Sequence, residues 1–166
     1  GSASIFGMDC QTDGIEIRKR VGYLPGELHL YPNMKATNFL DMLASLQAKQ
    51  VDNRYRQDLF KRLNLDPTRK MKEYSRGNKQ KVGIVAAFMS KPDLLILDEP
   101  TGGLDPLVQQ TVMELVQEVK DDGRTVFHDV FNDGEHVADD LLNQARWREL
   151  SLPLKMMGEL LRFVVV

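Results

Sequence analysis

Apolar residues along the chain fall into two kinds of pattern. The first is the short solid run between turn formers: Val21-Gly22-Tyr23-Leu24 before Pro25, Leu94-Leu95-Ile96-Leu97 between Pro92 and Pro100, and Thr125-Val126-Phe127. Such runs are too short for helices and have no polar face, which is how strands buried on both sides of a parallel sheet read. The weak alternation over residues 2–7 adds a strand ending at Gly7, and residues 15–20 predict a helical turn.

The second pattern has helical spacing. Thr37 is expected to cap a helix that turns Phe39, Leu40, Leu43 and Leu46 to one side, and Asp52 a second with Leu59, Phe60 and Leu63 inward and Pro67 beyond its end. Ser75 opens a third, reaching about Ser90 with Val82, Val85, Ala86 and Met89 on its buried face. After Asp105 as cap and Pro106 in the first helical position, Val108, Val112, Leu115, Val116 and Val119 recur at i, i+4, i+7, i+8 and i+11, and Gly123 stops the helix. Residues 141–161 read as helical, broken at Pro153, and carry the sole tryptophan, Trp147. The fold class is therefore α/β.

Candidate chemistry sits where the second strand ends. Asp98 and Glu99 follow directly on a run that belongs in a dry sheet, and a buried charge without a partner costs several kcal/mol, about. The C-terminal ends of parallel strands are where such sheets bind ligands. Two readings fit the pair: Asp98 caps a turn with Glu99 solvated, or the first carboxylate holds Mg²⁺ and the second polarises an attacking water, as in phosphoryl-transfer ATPases. Ser75 likewise is either a plain N-cap or, with Gly77, part of an anion site at a helix end with free N–H groups.

The continuation weighs between these readings. ILDEPTGGLDP resembles the Walker B motif and D-loop of the ABC ATPase family at nearly every position, and YSRGNKQK is similar to the family's signature motif, usually LSGGQ and a basic residue. Ser75 and Gly77 match it, Tyr74, Arg76 and Asn78 depart, and Asn78 stands sixteen residues before Leu94, as the family has it. The resemblance spans residues 1–139. It implies a P-loop-NTPase-like parallel sheet core with a helical subdomain, incomplete at the N-terminus. Residues 1–32 would begin the core and run through the Q-loop, 33–90 form the helical subdomain with the signature motif, 91–139 complete the core, and 140–166 form a divergent helical tail.

The resemblance also implies roles. Asp98 binds Mg²⁺, Glu99 is the general base, Asp105 acts across a dimer, and Ser75, Arg76, Gly77 and Asn78 meet the γ-phosphate of ATP on a partner domain. Arg76 either adds charge toward that phosphate or obstructs it. Gly26 stands where the family carries its Q-loop glutamine, so that contact is either lost or taken over by Glu27, a trait shared with drug-exporter and ABC-2 branches. His128 is the candidate switch histidine, although it follows its strand immediately; His136, in EHVAD, reads as a surface helix residue. The implied cofactors are ATP and Mg²⁺. The implied partners are a second ABC ATPase domain and a transmembrane transporter subunit that would hold the protein at the inner, cytoplasmic face of the membrane.

Composition narrows this. A chain of 166 residues makes one domain with a real core, and a net charge of −2 gives no nucleic-acid footprint. The lone Cys10 excludes a disulfide framework, fits a reducing compartment, and reads as an inert thiol. The longest apolar runs, such as residues 84–89, fall far short of the ~20 residues of a membrane span, so direct insertion is not expected, nor is a signal peptide. None of the twelve glycines precedes a lysine, so no G-x-x-x-x-G-K-[ST] phosphate loop is present. The expectation is an exporter-type ATPase domain lacking its first third and inactive alone. The alternatives are a non-catalytic structural or dimerisation piece, and a non-transport ABC ATPase, which should show a coiled-coil insertion or basic stretches.

Overall fold

The computed structural model describes residues 4–28, 30–47 and 50–129, with the backbone alone at His128 and Asp129. These residues divide into two compact units, one ending at Arg18 and one beginning at Lys19. The tail, His136 and Trp147 lie outside the described residues.

In the first unit, the described part of the strand expected over residues 2–7 does not run straight through to Gly7. Ser4–Ile5 (β1) and Met8–Asp9 (β2) form an antiparallel pair across Phe6 and Gly7, both left-handed at φ 57° and 74°. Asp9 then organises the next turn, its Oδ1 accepting the Gln11 N–H at 2.7 Å, and Gly14–Arg18 (α1) follows.

The second unit holds a parallel sheet of Val21–Leu24 (β3), Leu94–Asp98 (β4) and Thr125–Asp129 (β5), with β4 in the middle. Val21 pairs with Leu94 and Leu94 with Thr125, so the C-terminal ends of β3 and β4 finish side by side. All four apolar residues of β4 are buried, as its lack of a polar face requires. At the opposite end of the sheet, Arg20 Nε donates to Asp93 Oδ2 at 2.7 Å and fixes the register before the strands begin.

Between β3 and β4 lie Ala36–Ala44 (α2), Asn53–Arg62 (α3), a 3-10 turn over Met71–Glu73, and Arg76–Phe88 (α4); Pro106–Asp121 (α5) follows β4. The cap of α2 is not Thr37. The helix starts after Lys35, which makes no side-chain cap bond, because the N–H groups of Ala36 and Thr37 are already taken by the carbonyls of Arg69 and Pro67 at 3.2 and 3.0 Å. A cap side chain is thereby spared two of the N–H groups it would otherwise serve. Leu46 is also not on the inward face: α2 ends at Ala44, and Leu46 is exposed. Asp52 does cap α3, accepting from the Arg54 N–H at 2.8 Å.

Helix α4 is buried nearly all round, Gln80 and Lys81 included. It lies in one core with Leu24 of the sheet, Leu40 and Leu59 of the helical block, and Leu115 of α5. Full burial of each of these leucines contributes about 1.5–3 kcal/mol. On α5, Val108, Val112, Leu115, Val116 and Val119 are all buried, and Gly123 turns away at φ 74°. Arg62 of α3 meets Glu118 of α5 through two hydrogen bonds, 2.9 and 2.7 Å, and this bond holds the Glu118 carboxyl below its ordinary pKa. Among the described residues, no helix is long and apolar enough to cross a membrane.

Candidate functional site

The ends of β3 and β4 place Asp98 beside Gly26. The Gly26 N–H donates to Asp98 Oδ2 at 3.2 Å. A Cβ at position 26 would stand 3.1 Å from the same oxygen, so a side chain here would crowd the carboxylate. At the Q-loop position the backbone of Gly26 serves Asp98, and Glu27 beside it is exposed. The Tyr23 phenol faces the same charge. Its pKa is raised, first by burial and then by the Asp98 carboxylate.

Glu99 leaves the strand with a sharp reversal. Its φ is 46°, a left-handed conformation in a non-glycine residue that also precedes a proline, where the chain favours extended backbone. Such a residue stores about 1–3 kcal/mol of strain and persists only when its surroundings fix it. Here the Glu99 carbonyl accepts two hydrogen bonds, from the Gly102 N–H at 3.1 Å and from Gln80 Nε2 at 3.2 Å, and Pro100 is buried behind it. The Glu99 side chain is left exposed at the end of the strand.

The loop from Glu99 to Asp105 is held from both flanking helices. Leu104 N–H closes a second turn onto the Thr101 carbonyl at 3.2 Å, and Gly103 turns at φ 72°. From α5, Gln109 Nε2 donates to the carbonyls of Leu104 at 3.0 Å and Thr101 at 3.4 Å. Asp105 Oδ1 caps α5 by accepting the Val108 N–H at 3.1 Å. From α4, the first turn abuts the loop so closely that a Cβ on Gly77 would lie 2.9 Å from the Gly103 carbonyl oxygen.

Ser75 Oγ caps α4, accepting from the Asn78 N–H at 3.2 Å. No acidic residue stands in the first turn of this helix, so its positive end is not neutralised from within. The Arg76 stem runs alongside Gly103, with Cδ and Nε 3.8 Å from where a Cβ of that glycine would be. Arg76 and Gly77 thus sit on the loop that ends in Asp105, with Ser75 and Asn78 beside them in the same turn. Asp98 and Glu99 form a second group with Gly26, and Gln80 joins the two groups. His128 lies within β5, paired with Leu97, not after the strand; its side chain is outside the description.

Two residues of this arrangement escape a reading by motif. Gln80 stands three residues after Gly77 on the same helical face, and Gln109 four residues after its cap, so helical spacing alone could have pointed to both.

As a donor set, the site suits a magnesium nucleotide in one specific way. Among the described residues no three His, Cys, Asp or Glu side chains gather into a cage. Mg²⁺ in phosphoryl-transfer sites uses one or two carboxylates, with phosphate and water oxygens as the rest, and Asp98 is placed to be that carboxylate. A helix end with a neutral cap and close glycine backbone suits a phosphate oxygen.

Comparison with known proteins agrees with this chemistry. The family model described as ABC transporter matches residues 1–102. The ABC transporter ATP-binding protein YhaQ of Bacillus subtilis is 37% identical over 114 residues, which is 66% of this chain and 38% of that protein. The lantibiotic transport ATP-binding protein SrtF of Streptococcus pyogenes is 31% identical, over 73% of this chain and 54% of that protein. The chain therefore spans about half or less of the length of these relatives. In fold it is like a dimeric ATP-binding cassette solved in a post-hydrolysis state with ADP and Pi, with TM-score 0.68 and 22% identity over 80% of this chain and 63% of that one. With a family match over more than half its length and the sheet, helices and loop described above, the chain belongs to the ABC transporter family, within its ATP-binding domain.

Proposed function

We propose that this chain belongs to the ATP-hydrolysing subunit of an exporter, which drives transport by ATP-dependent dimerisation. The observation that carries the reading is the pair Asp98 and Glu99 at the end of a fully buried strand, tied to the N-terminal half of α4. The exporter assignment is supported by similarity to a lantibiotic transport protein, and the dimer by likeness to a dimeric cassette.

In this reading bound Mg²⁺ would supply positive charge beside the phosphates of the nucleotide. Asp98 supplies the carboxylate that holds it, and the Gly26 N–H keeps that carboxylate turned. Glu99, exposed at the strand end, would orient a water and accept its proton as that water attacks the γ-phosphorus, the bond to the bridging oxygen breaks and ADP leaves with that oxygen. Ser75, Arg76, Gly77 and Asn78 serve the γ-phosphate bound by a partner domain, Asp105 faces that partner, and His128, grouped with Glu99, senses the γ-phosphate that the water attacks. The domain is then peripheral on the inner face of the membrane, carried there by a transmembrane subunit.

The missing G-x-x-x-x-G-K-[ST] favours a second statement, about these 166 residues by themselves. Without stacked N–H groups and a lysine for the phosphates, they do not bind ATP at millimolar concentration, and they act only in trans. Two measurements test this together. Titration calorimetry with Mg-ATP is expected to show no binding, and a micromolar affinity overturns the statement. Phosphate release by a P-loop-bearing copy, titrated with the chain, is expected to rise; Ser75→Arg abolishes the rise, while Glu99→Gln hardly changes it. Equal behaviour of the two variants would sink the trans role of Ser75.

A further inference from the structure

We infer that Gln80 is the positioning residue for Glu99: its buried side-chain amide holds the Glu99 carbonyl, fixes that residue in its left-handed conformation, and so sets where the carboxylate stands relative to the start of α4. The inference deepens the proposed function and rests on it for the meaning of Glu99.

Three observations converge. Gln80 is 7% exposed and its Nε2 reaches the Glu99 carbonyl at 3.2 Å across a gap of nineteen residues. Glu99 has φ 46°, a conformation that β4 and Pro100 do not favour. One turn earlier on the same face of α4, Gly77 comes so near the Gly103 carbonyl that no side chain fits between. Helix α4 therefore touches the loop at two points a helical turn apart, one at Glu99 and one at Gly103. A rigid helix that contacts a loop twice fixes orientation as well as position. The Gly102 N–H shares the Glu99 carbonyl, so the helix contact bears on the same oxygen that closes the turn. Any displacement at the Ser75 end of α4 is then felt directly at Glu99.

The test needs no nucleotide, which separates it from the test of the proposed function. Gln80→Met keeps the volume and removes the donor. In isotopically labelled chain, the ¹³C′ and ¹³Cα shifts of Glu99 are expected to move toward extended values. Exchange of the Gly102 amide is expected to quicken on the order of tenfold, as for a lost hydrogen bond, while α4 shifts from Val82 onward stay in place. Gln109→Met, which frees Thr101 and Leu104 instead, leaves the Glu99 shifts unchanged. In Gln80→Met combined with Glu99→Gly, where left-handed backbone carries no penalty, Gly102 protection returns. Unchanged Glu99 shifts in Gln80→Met overturn the inference. So does movement spread evenly along α4, or a double variant no better protected than Gln80→Met alone.

Discussion

The N-termini of α4 and α5 share a plan and differ in chemistry. Both cap residues are extended, Ser75 at φ −62° and ψ 166°, Asp105 at φ −69° and ψ 156°. Both side-chain oxygens accept the N–H three residues on, at 3.2 and 3.1 Å. Asp105 brings a negative charge that offsets the positive end of its own helix, and Pro106 removes one N–H that would otherwise need a partner. Ser75 brings no charge, and Arg76 next to it adds a positive one. One helix end is thus electrically closed, and the other still favours an anion from outside. Local structure alone would be served by either cap. The difference matters for what each end can bind.

Four tests break or sharpen this contrast. The largest effect is expected at the second helical position. Gly77→Val drives Cβ against the Gly103 carbonyl and is expected to cost about 1–3 kcal/mol, whereas Leu107→Ala at the matching place in α5 changes little, since Leu107 is 74% exposed. Thermal melts of both variants decide it; equal shifts would mean that α4 does not press on the loop. Next, Asp105→Ala removes cap and charge together, for about 1–2 kcal/mol in denaturant unfolding, while Asp105→Asn keeps most of that.

Third, Ser75→Asp closes the open end. Stability is expected to rise by about 0.3–1 kcal/mol from the dipole, and stimulation of a P-loop-bearing partner to fall, so stability and function move in opposite directions. A variant that gains both would show that no anion meets this end of α4. The smallest effect lies farther along α5. Glu118→Gln removes the charge and one of the two acceptors that meet Arg62, a partly exposed pair that contributes about 0.2–1 kcal/mol. Because the Glu118 pKa is depressed in the folded chain, its contribution is present above the ordinary carboxylate range and lost as pH falls through the folded value. Melts of wild type and Glu118→Gln should therefore differ near neutrality and converge in acid.

What could be read from the sequence was mostly what is decided locally. The caps Asp52, Ser75 and Asp105 bond to N–H groups two or three residues away, so their signals lie within one turn. The run from Leu94 to Leu97 announced a buried strand because four apolar residues between Pro92 and Pro100 are too few for a helix. Thr37 misled because a distant segment, ending in the carbonyls of Pro67 and Arg69, does the capping. The stripe read on α4 was too narrow, since that helix packs against the sheet and against α2 and α3 together, and a one-faced pattern cannot register neighbours on several sides. At the site, Asp98 and Glu99 stood out as charges ending an apolar run. The service of the Gly26 backbone to Asp98 did not, because a glycine gives sequence reading no side chain to reason from. Gln80 went unremarked for a related reason: an amide on a helix reads as solvent-facing until its burial is known.

The bond from Gly26 to Asp98 joins residues 72 apart in the chain, and the sheet that supports it pairs strands separated by the whole helical block. Helices α2, α3 and α4 can form within microseconds from neighbouring residues, but a parallel pairing of this span must wait for a long loop to close. The carboxylate at Asp98 is therefore expected to reach its working place late in folding, after the helices that surround it. A newly made chain would carry a formed α4, with its anion-favouring end, before it carried an ordered Asp98. During that interval it could be drawn to phosphate while lacking the strand end that acts on it.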